Sequence, residues 1–473
     1  MSQPASTAHT PAPPRGIRSH TRPGATLGVT AAATAVALMN YTAPMLTLPD
    51  MAAAFGTPAS ARAWLLNGTP LGLAVLLLVA GSLADAHGRR RVFLLGTLAL
   101  GLTTALGAFA GSTATFTAAR IAQGAASAAV LAGSLGLLAQ AYPAGRDRIR
   151  ATGIWGASVS AGIALGPLLA GALSLVDWRL AYEVLGAATL VIAGAGARLL
   201  PADGAAGRSG GSGARPDIAG ATALGLALAA LLTALTLGRD GWLRPQVGLL
   251  LLASLALTAL FVLAEHRSRT PMVDLALLRR PAFLASTLGA LFTGLAVIGL
   301  FSVVPALLQG GGAGDGAGAG MSPLGAAWLF VLWSGTAFVV ALQARRLAGR
   351  LSAPYQLALG FVLSAAGVLA LLGGLEGPAG SWPRLLPGLL VAGAGSGLLN
   401  AALPRLAVDS VPPERAAMGS GANNTARYIG SSAGVALMLA LATAGPDTAV
   451  LVAAALALAG AGLTLTLGRR QRR

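Results

Sequence analysis

Long apolar runs alternate with short polar gaps along the whole chain, and the gaps are of two kinds. A helix that crosses a bilayer needs about 20 predominantly apolar residues. Windows of that length predict about fourteen spans: 25–46, 62–84, 91–111, 114–141, 151–174, 180–200, 217–238, 245–265, 282–309, 322–344, 353–374, 385–408, 417–443 and 447–468. Every second gap is basic. Arg89, Arg90 and Arg91 fill one; Arg146, Arg148 and Arg150 the next; then Arg198, Arg208 and Arg215; Arg267, Arg269, Arg279 and Arg280; Arg345, Arg346 and Arg350; and Arg415. The intervening gaps hold mainly Gly, Ser, Thr and Pro, as in 310–320, with Arg62, Arg179, Arg239, Arg244 and Arg384 as scattered exceptions. Cytoplasmic loops carry the arginine excess. The alternation therefore predicts an even number of spans with both termini in the cytoplasm, the last residues, Arg469 to Arg473, included.

Two basic gaps have linker character: 201–216, with its Gly/Ser-rich run at 207–213, and about 265–281. Only two spans lie between them. The expected organisation is a disordered cytoplasmic tail over 1–24, a six-helix bundle over 25–200, a linker with two extra spans over 201–281, a second six-helix bundle over 282–468 and a basic cytoplasmic tail over 469–473. The tail at 1–24 lacks the short apolar core and cleavage site of a signal peptide, so the first span is expected to act as an uncleaved anchor.

Composition agrees with lipid as the main solvent. The chain is 55% hydrophobic and 10% charged, where a water-soluble domain carries about 25% charged residues. The net charge of +17 does not indicate nucleic acid, because the arginines sit in gaps between spans and form no stripe with interleaved aromatics. Lysine and cysteine are absent, and His9, His20, His87 and His266 lie in tails or loops. Disulfides and thiolate sites are excluded, and no metal or cofactor is expected. The fifteen acidic residues are scattered, without the clustered carboxylates of a metal-dependent membrane enzyme; the chain is expected not to be an enzyme.

Four stretches carry candidate chemistry. Gly81-Ser-Leu-Ala-Asp85-Ala-His-Gly88-Arg89-Arg90-Arg91 is more ordered than a connecting loop requires. Asp85 is placed to pair with arginine or to cap a neighbouring helix N-terminus, and Gly81 and Gly88 permit close approach and a tight turn. Arg120, with Gln123 one turn on, lies inside an apolar run. A central arginine costs about 2.5–3.5 kcal/mol to insert, so it should face a wet cavity or a partner. The fifth span holds Gly162, Gly166, Pro167 and Gly171, the pattern of a kinked helix packed closely on a neighbour. The thirteenth holds Asn423, Asn424 and Arg427, expected on one side of the helix, towards a central cavity.

Together these stretches resemble the major facilitator superfamily of membrane transporters, and within it the fourteen-helix drug:proton antiporter branch. The Gly81–Arg91 stretch resembles its signature loop. Arg120-x-x-Gln123-Gly124 resembles a second motif, whose arginine takes part in proton coupling. Gly162 to Gly171 resembles the motif of exporters, with Ala170 in place of a usual glycine. The resemblance implies an all-α polytopic fold of two six-helix bundles plus two linker helices. It also implies a gating latch at Gly81, Asp85, Gly88, Arg89, Arg90 and Arg91, and a monomer in a bacterial plasma membrane.

One position departs from the branch. Asn40 stands at the end of the first span where Asp is usual, and an amide cannot carry a proton. Asn40 is left as a hydrogen-bonding group for substrate, beside Tyr41 and with Gln123, Asn423, Asn424 and Arg427. Glu183 then becomes the proton carrier paired in function with Arg120. The implied activity is proton-coupled export of a small amphipathic drug or secondary metabolite by alternating access. An importer or an uncoupled facilitator of the same fold is the alternative.

Overall fold

The computed structural model describes residues 23–142, 146–201, 218–238, 243–267, 277, 279–310, 320–347, 351–376, 379–411 and 416–470. Inside a bilayer no water meets an open backbone group, so apolar runs become helices, which satisfy their groups internally. The first run forms α1 (Pro23–Thr42) and α2 (Pro44–Ala54), bent by 45° at Ala43. Pro44 has no N–H for the helical ladder, and its ring crowds the preceding turn. There follow α3 (Arg62–His87), α4 (Arg89–Ala108), α5 (Thr113–Ala141), α6 (Arg146–Leu173) and α7 (Arg179–Leu199), then the pair α8 (Ile218–Gly238) and α9 (Pro245–Arg267). The last part opens with α10 (Pro281–Phe292), a π-helical turn over Thr293–Ile298, α11 (Gly299–Phe301) and α12 (Val304–Leu308). It continues with α13 (Pro323–Leu347), α14 (Ala353–Leu369), α15 (Leu386–Asp409), α16 (Ala416–Ala442) and α17 (Pro446–Arg470).

Among the described residues, ten helical stretches are long and apolar enough to cross a membrane, or eleven with α1 and α2 taken as one bent span. That is fewer than the fourteen expected. Of the remainder, α14 has 17 residues, and α8 contributes the shorter apolar stretch Thr222–Leu231. The terminal residues 1–22 and 471–473, the linker residues 202–217 and Arg415 lie outside the described residues.

The packing repeats. In the first half α3 and α4 pack on α5, α4 on α7, and α1 on α6 and α5. In the second half α13 and α14 pack on α15, α14 on α17, and α10 on α16 and α15. The neighbours correspond one for one. The halves meet along α3–α16 and α6–α13, with α2 against α12. The α8–α9 pair reaches the rest through α8, on α3 and α16, and α9 exposes Leu249, Leu252, Leu255 and Leu260 outward, as a lipid-facing helix would.

Glycines set the closest crossings, because small residues let backbones approach. A Cβ added at Gly72 of α3 would lie 2.8 Å from the Ala125 nitrogen, and one at Gly124 of α5 2.9 Å from the Leu73 nitrogen. Gly162 and Gly166 seat α6 on α1, where a Cβ would lie 2.8 Å from Leu38 Cβ and 2.7 Å from the Met39 carbonyl oxygen. Gly430 and Gly434 of α16 repeat that spacing against the π turn and α11, with Leu295 N and Gly299 Cα each 3.0 Å away.

Candidate functional site

The first span's last turn and α5 enclose one charge. Arg120 is fully buried. Its Nη1 donates to the Asn40 main-chain oxygen at 2.8 Å, to Asn40 Oδ1 at 2.8 Å and to Gln123 Oε1 at 2.6 Å, and Nη2 donates to the Tyr41 carbonyl at 3.4 Å. Asn40 Nδ2 in turn donates to Thr104 Oγ1 of α4, and Gln123 Nε2 to the Thr103 carbonyl at 3.0 Å. The Gly162–Gly166 face of α6 presses α1 into this position. Neutral acceptors thus hold the guanidinium, and none of its side-chain partners is a carboxylate. Arg120 therefore meets a partner, as its burial requires, and its main partner is Asn40. Asn40 spends both ends of its amide on protein groups.

Between the halves lies a cavity of about 780 Å³, open solvent at its mouth included. The first half contributes Leu38, Tyr41, Thr42 and Met45 of α1 and Ser160 and Ile163 of α6. The second contributes the π turn, Phe301, Trp333 and Ser334 of α13, Ser396 and Asn400 of α15, and Arg427 and Tyr428 of α16. The π turn widens the helix where its residues Thr293, Val297 and Ile298 meet the cavity; such turns are frequent at functional sites. Phe301 stacks on Trp333 with ring centroids 4.2 Å apart, and Phe330 meets Trp333 edge-on at 5.1 Å. Among the described residues lining it, Arg427 is the only charged one. Its Nη2 donates to Asn424 Oδ1 at 3.2 Å, and its guanidinium lies 5.5 Å from the centre of the Tyr428 ring.

Hydrogen bonds tie the halves together towards the α2 and α12 side of this cavity. Tyr41 Oη meets Ser431 Oγ at 3.0 Å, Asn67 Nδ2 donates to the Ser432 carbonyl at 3.0 Å, and Gln309 Nε2 donates to the Leu46 carbonyl at 3.2 Å.

The structure separates the expected cavity residues. Tyr41 and Arg427 line the cavity, whereas Asn40 and Gln123 sit behind its wall with Arg120. Asn423 lies one helical turn before Arg427, about 40° away around α16, but is not among the cavity-lining residues: its Nδ2 donates at 2.9 Å to both the carbonyl and the hydroxyl of Ser286 on α10. Asn424 bonds the Ser420 carbonyl and orients Arg427. Glu183, expected on the proton path, is exposed on α7 and is not part of the cavity or of the Arg120 cluster. Gly171 seats α6 on the start of α13, 3.0 Å from Pro323 O in Cβ terms, so the exporter-type stretch touches both halves. Pro167 lies inside α6, which remains one helix.

In the Gly81–Arg91 stretch, Gly88 takes φ +101°, a conformation that favours glycine, and joins α3 to α4 without a longer loop. Arg89 Nη1 donates to the Gly136 carbonyl of α5 at 3.1 Å. Arg90 donates to the Leu200 and Ala197 carbonyls at the end of α7, at 3.1 and 2.7 Å. A cation on terminal carbonyls complements the negative helix end. Arg91 is exposed, and the space around Gly81 is open. The Asp85 side chain lies outside the described residues. Trp333, Ser334 and Ser396 escaped sequence reasoning: in an apolar span each reads as an ordinary core or small residue, and only the cavity identifies them.

Comparison with known proteins agrees with this architecture. The sequence profile of the Major Facilitator Superfamily matches residues 30–435. The chain is 31% identical over 398 residues to the multidrug resistance protein Stp of Mycobacterium tuberculosis, covering 83% of this chain and 70% of that protein. It is 32% identical to the puromycin resistance protein pur8 of Streptomyces alboniger, covering 88% and 81%. It is also 32% identical to a probable actinorhodin transporter of Streptomyces coelicolor, covering 89% and 73%. Among solved structures, a peptide transporter POT superposes with TM-score 0.68 at 17% identity over 97% of this chain and 96% of that one; at that identity the likeness concerns the fold. With the profile spanning both halves and the repeat in their packing, the chain belongs to the major facilitator superfamily of membrane transporters.

Proposed function

We propose that the protein is a fourteen-span exporter of small amphipathic molecules, working by alternating access in a bacterial inner membrane with both termini in the cytoplasm. The observation that carries this reading is the cavity between the halves, lined by both and tied shut towards α2 and α12. By the arginine alternation that closed side is the outer one, so the cavity takes its cargo from the cytoplasm or inner leaflet. Adding α3, α8 and α14, of 26, 21 and 17 residues, to the eleven spans counted above brings the number to fourteen. Each is long enough, since spans run from about 17 residues upward. Residues 25–200 and 282–468 are then the two rocking halves, and the Gly81–Arg91 stretch, with Arg89 and Arg90 on α5 and α7, is the latch of the cytoplasmic side. The curated relatives named above are resistance and export proteins, which supports drugs or secondary metabolites as cargo.

Inward proton flow is the energy source in this reading. Its path runs past Arg120 and uses a carboxylate outside the cavity, Glu183 or Asp85. A second reading, an uncoupled facilitator, is favoured by one specific observation: Asn40 occupies the acid's place against Arg120, and no Asp or Glu is among the cavity-lining residues. Everted membrane vesicles containing the protein separate the two. With puromycin as probe, lumen acidification should drive its uptake, and nigericin should abolish it. Uptake indifferent to the gradient selects the facilitator, and no uptake of puromycin or of a panel of resistance substrates overturns the exporter.

A further inference from the structure

The cavity wall carries donors with nothing to donate to. Arg427 Nε and Trp333 Nε1 are buried and have no hydrogen-bond partner, and neither do the Ser334 and Ser396 hydroxyls beside them. Guanidinium and indole N–H groups only donate. A buried donor left unpaired is destabilising, so an acceptor brought by a molecule in the space would be stabilised by these groups. All four groups belong to α13, α15 and α16, on the second half of the cavity.

Charge points the same way. Arg427 has one side-chain hydrogen bond, to a neutral amide of its own helix, and no acidic residue is among those lining the cavity. A second guanidinium without a carboxylate partner, Arg120, bonds the Tyr41 carbonyl directly behind the wall. Two cations at and behind one wall repel a cationic ligand and attract an anion. The rest of the lining is flat and aromatic, with Phe301 stacked on Trp333.

We propose that the cavity selects planar organic anions, with a carboxylate, phenolate or enolate oxygen received by Arg427 Nε and Trp333 Nε1 and the ring system against the Phe301–Trp333 wall. The proposal deepens the exporter reading and rests on the cavity being its substrate site. Lipophilic cations are the disfavoured class.

The test uses two ligands of one shape and opposite charge, anthracene-9-carboxylate and 9-anthracenylmethylammonium, with the purified protein in an uncharged detergent and binding read by fluorescence anisotropy. The carboxylate should bind about tenfold or more tightly than the ammonium, the equivalent of one charge-assisted hydrogen bond. Arg427→Gln should erase that ratio, Arg427→Lys should keep most of it, and Trp333→Phe, which keeps the ring and removes the N–H, should weaken the carboxylate alone by about threefold. Equal or tighter binding of the ammonium to the wild type overturns the proposal, as does an unchanged ratio in Arg427→Gln protein that elutes like wild type. Should Arg427→Gln not fold, Trp333→Phe decides, and unchanged carboxylate affinity there overturns the proposal. The two readings fail separately. Arg427-dependent carboxylate binding without vesicle transport removes the exporter and leaves the site, whereas gradient-driven export of cations without the binding preference removes the site and leaves the exporter.

Discussion

Two arginines lie deep in this protein, and their surroundings treat them in opposite ways. Arg120 is wholly enclosed and gives four hydrogen bonds, three of them to α1. Arg427 gives one, to a residue of its own helix, and faces the cavity. The first spends both terminal nitrogens on fixing where one helix sits against another and leaves its buried Nε without a partner, sealed away from the cavity. The second keeps donors open towards a space that a ligand fills. A charge at membrane depth is therefore not by itself a sign of substrate contact; what its donors meet decides the role.

The largest effect that would test this contrast comes from Arg120→Met. It leaves the Asn40 and Gln123 amide oxygens and the α1 carbonyls without donors in a dry site. Loss of several charge-assisted hydrogen bonds should cost about 3 kcal/mol or more. The variant should show a lower melting midpoint in detergent by several degrees and no transport in vesicles. Wild-type melting and transport together would show that the Arg120 cluster neither positions α1 nor serves the transport cycle.

Asn40→Asp tests the same cluster from the other side. It places a carboxylate at the 2.8 Å position now held by Asn40 Oδ1, restoring the acid usual in the antiporter branch. The Coulomb gain is about 4 kcal/mol at an effective dielectric of 20, and the desolvation of a new buried carboxylate offsets most of it. The net stability change should stay within about 2 kcal/mol, while the pH profile of transport should shift. A pH profile identical to wild type in a transport-competent variant would place Asn40 off the coupling path.

How much of this was readable in the chain depends on whether a feature is local. Individual helices were, because an apolar run announces its own helix: the windows at 180–200 and 385–408 correspond to Arg179–Leu199 and Leu386–Asp409, although ten or eleven stretches among the described residues, not fourteen, pass as spans. The window at 282–309 was read as one helix, but it contains the π turn and a break at 302–303. Those arise from packing of Gly294 and Gly299 on α16 and from Pro305, so they belong to the neighbour as much as to the run. Arg120 was legible as a charge out of place, and its partner was not, since Asn40 lies eighty residues away. Asn423 and Asn424 are alike as residues, but Asn423 bonds α10 whereas Asn424 bonds groups of its own helix. The donors at Trp333, Ser334 and Ser396 had no signal in sequence, because an unpaired group is defined by what surrounds it.

Arg427→Gln should sharpen the comparison by how little it does to the fold. One side-chain hydrogen bond to Asn424 is lost, at about 1 kcal/mol or less, so the melting midpoint should move by no more than a few degrees. A collapse as deep as that of Arg120→Met would mean that both arginines are structural and that the contrast between them is false.

The smallest expected effect is the most diagnostic of an empty acceptor position. Ser334→Ala and Ser396→Ala each remove a buried hydroxyl that has no hydrogen-bond partner in the ligand-free protein. A satisfied hydroxyl would be missed, at about 0.5–1.5 kcal/mol. An unsatisfied one carries only its desolvation penalty, so its removal should leave melting unchanged or raise it by about a degree. The same two substitutions should weaken a bound planar carboxylate, because the hydroxyl's use lies with the ligand. Destabilisation of the ligand-free protein by either one, at the level of a lost hydrogen bond, would show that the second half satisfies its own donors and that the open wall of the cavity is closed in solution.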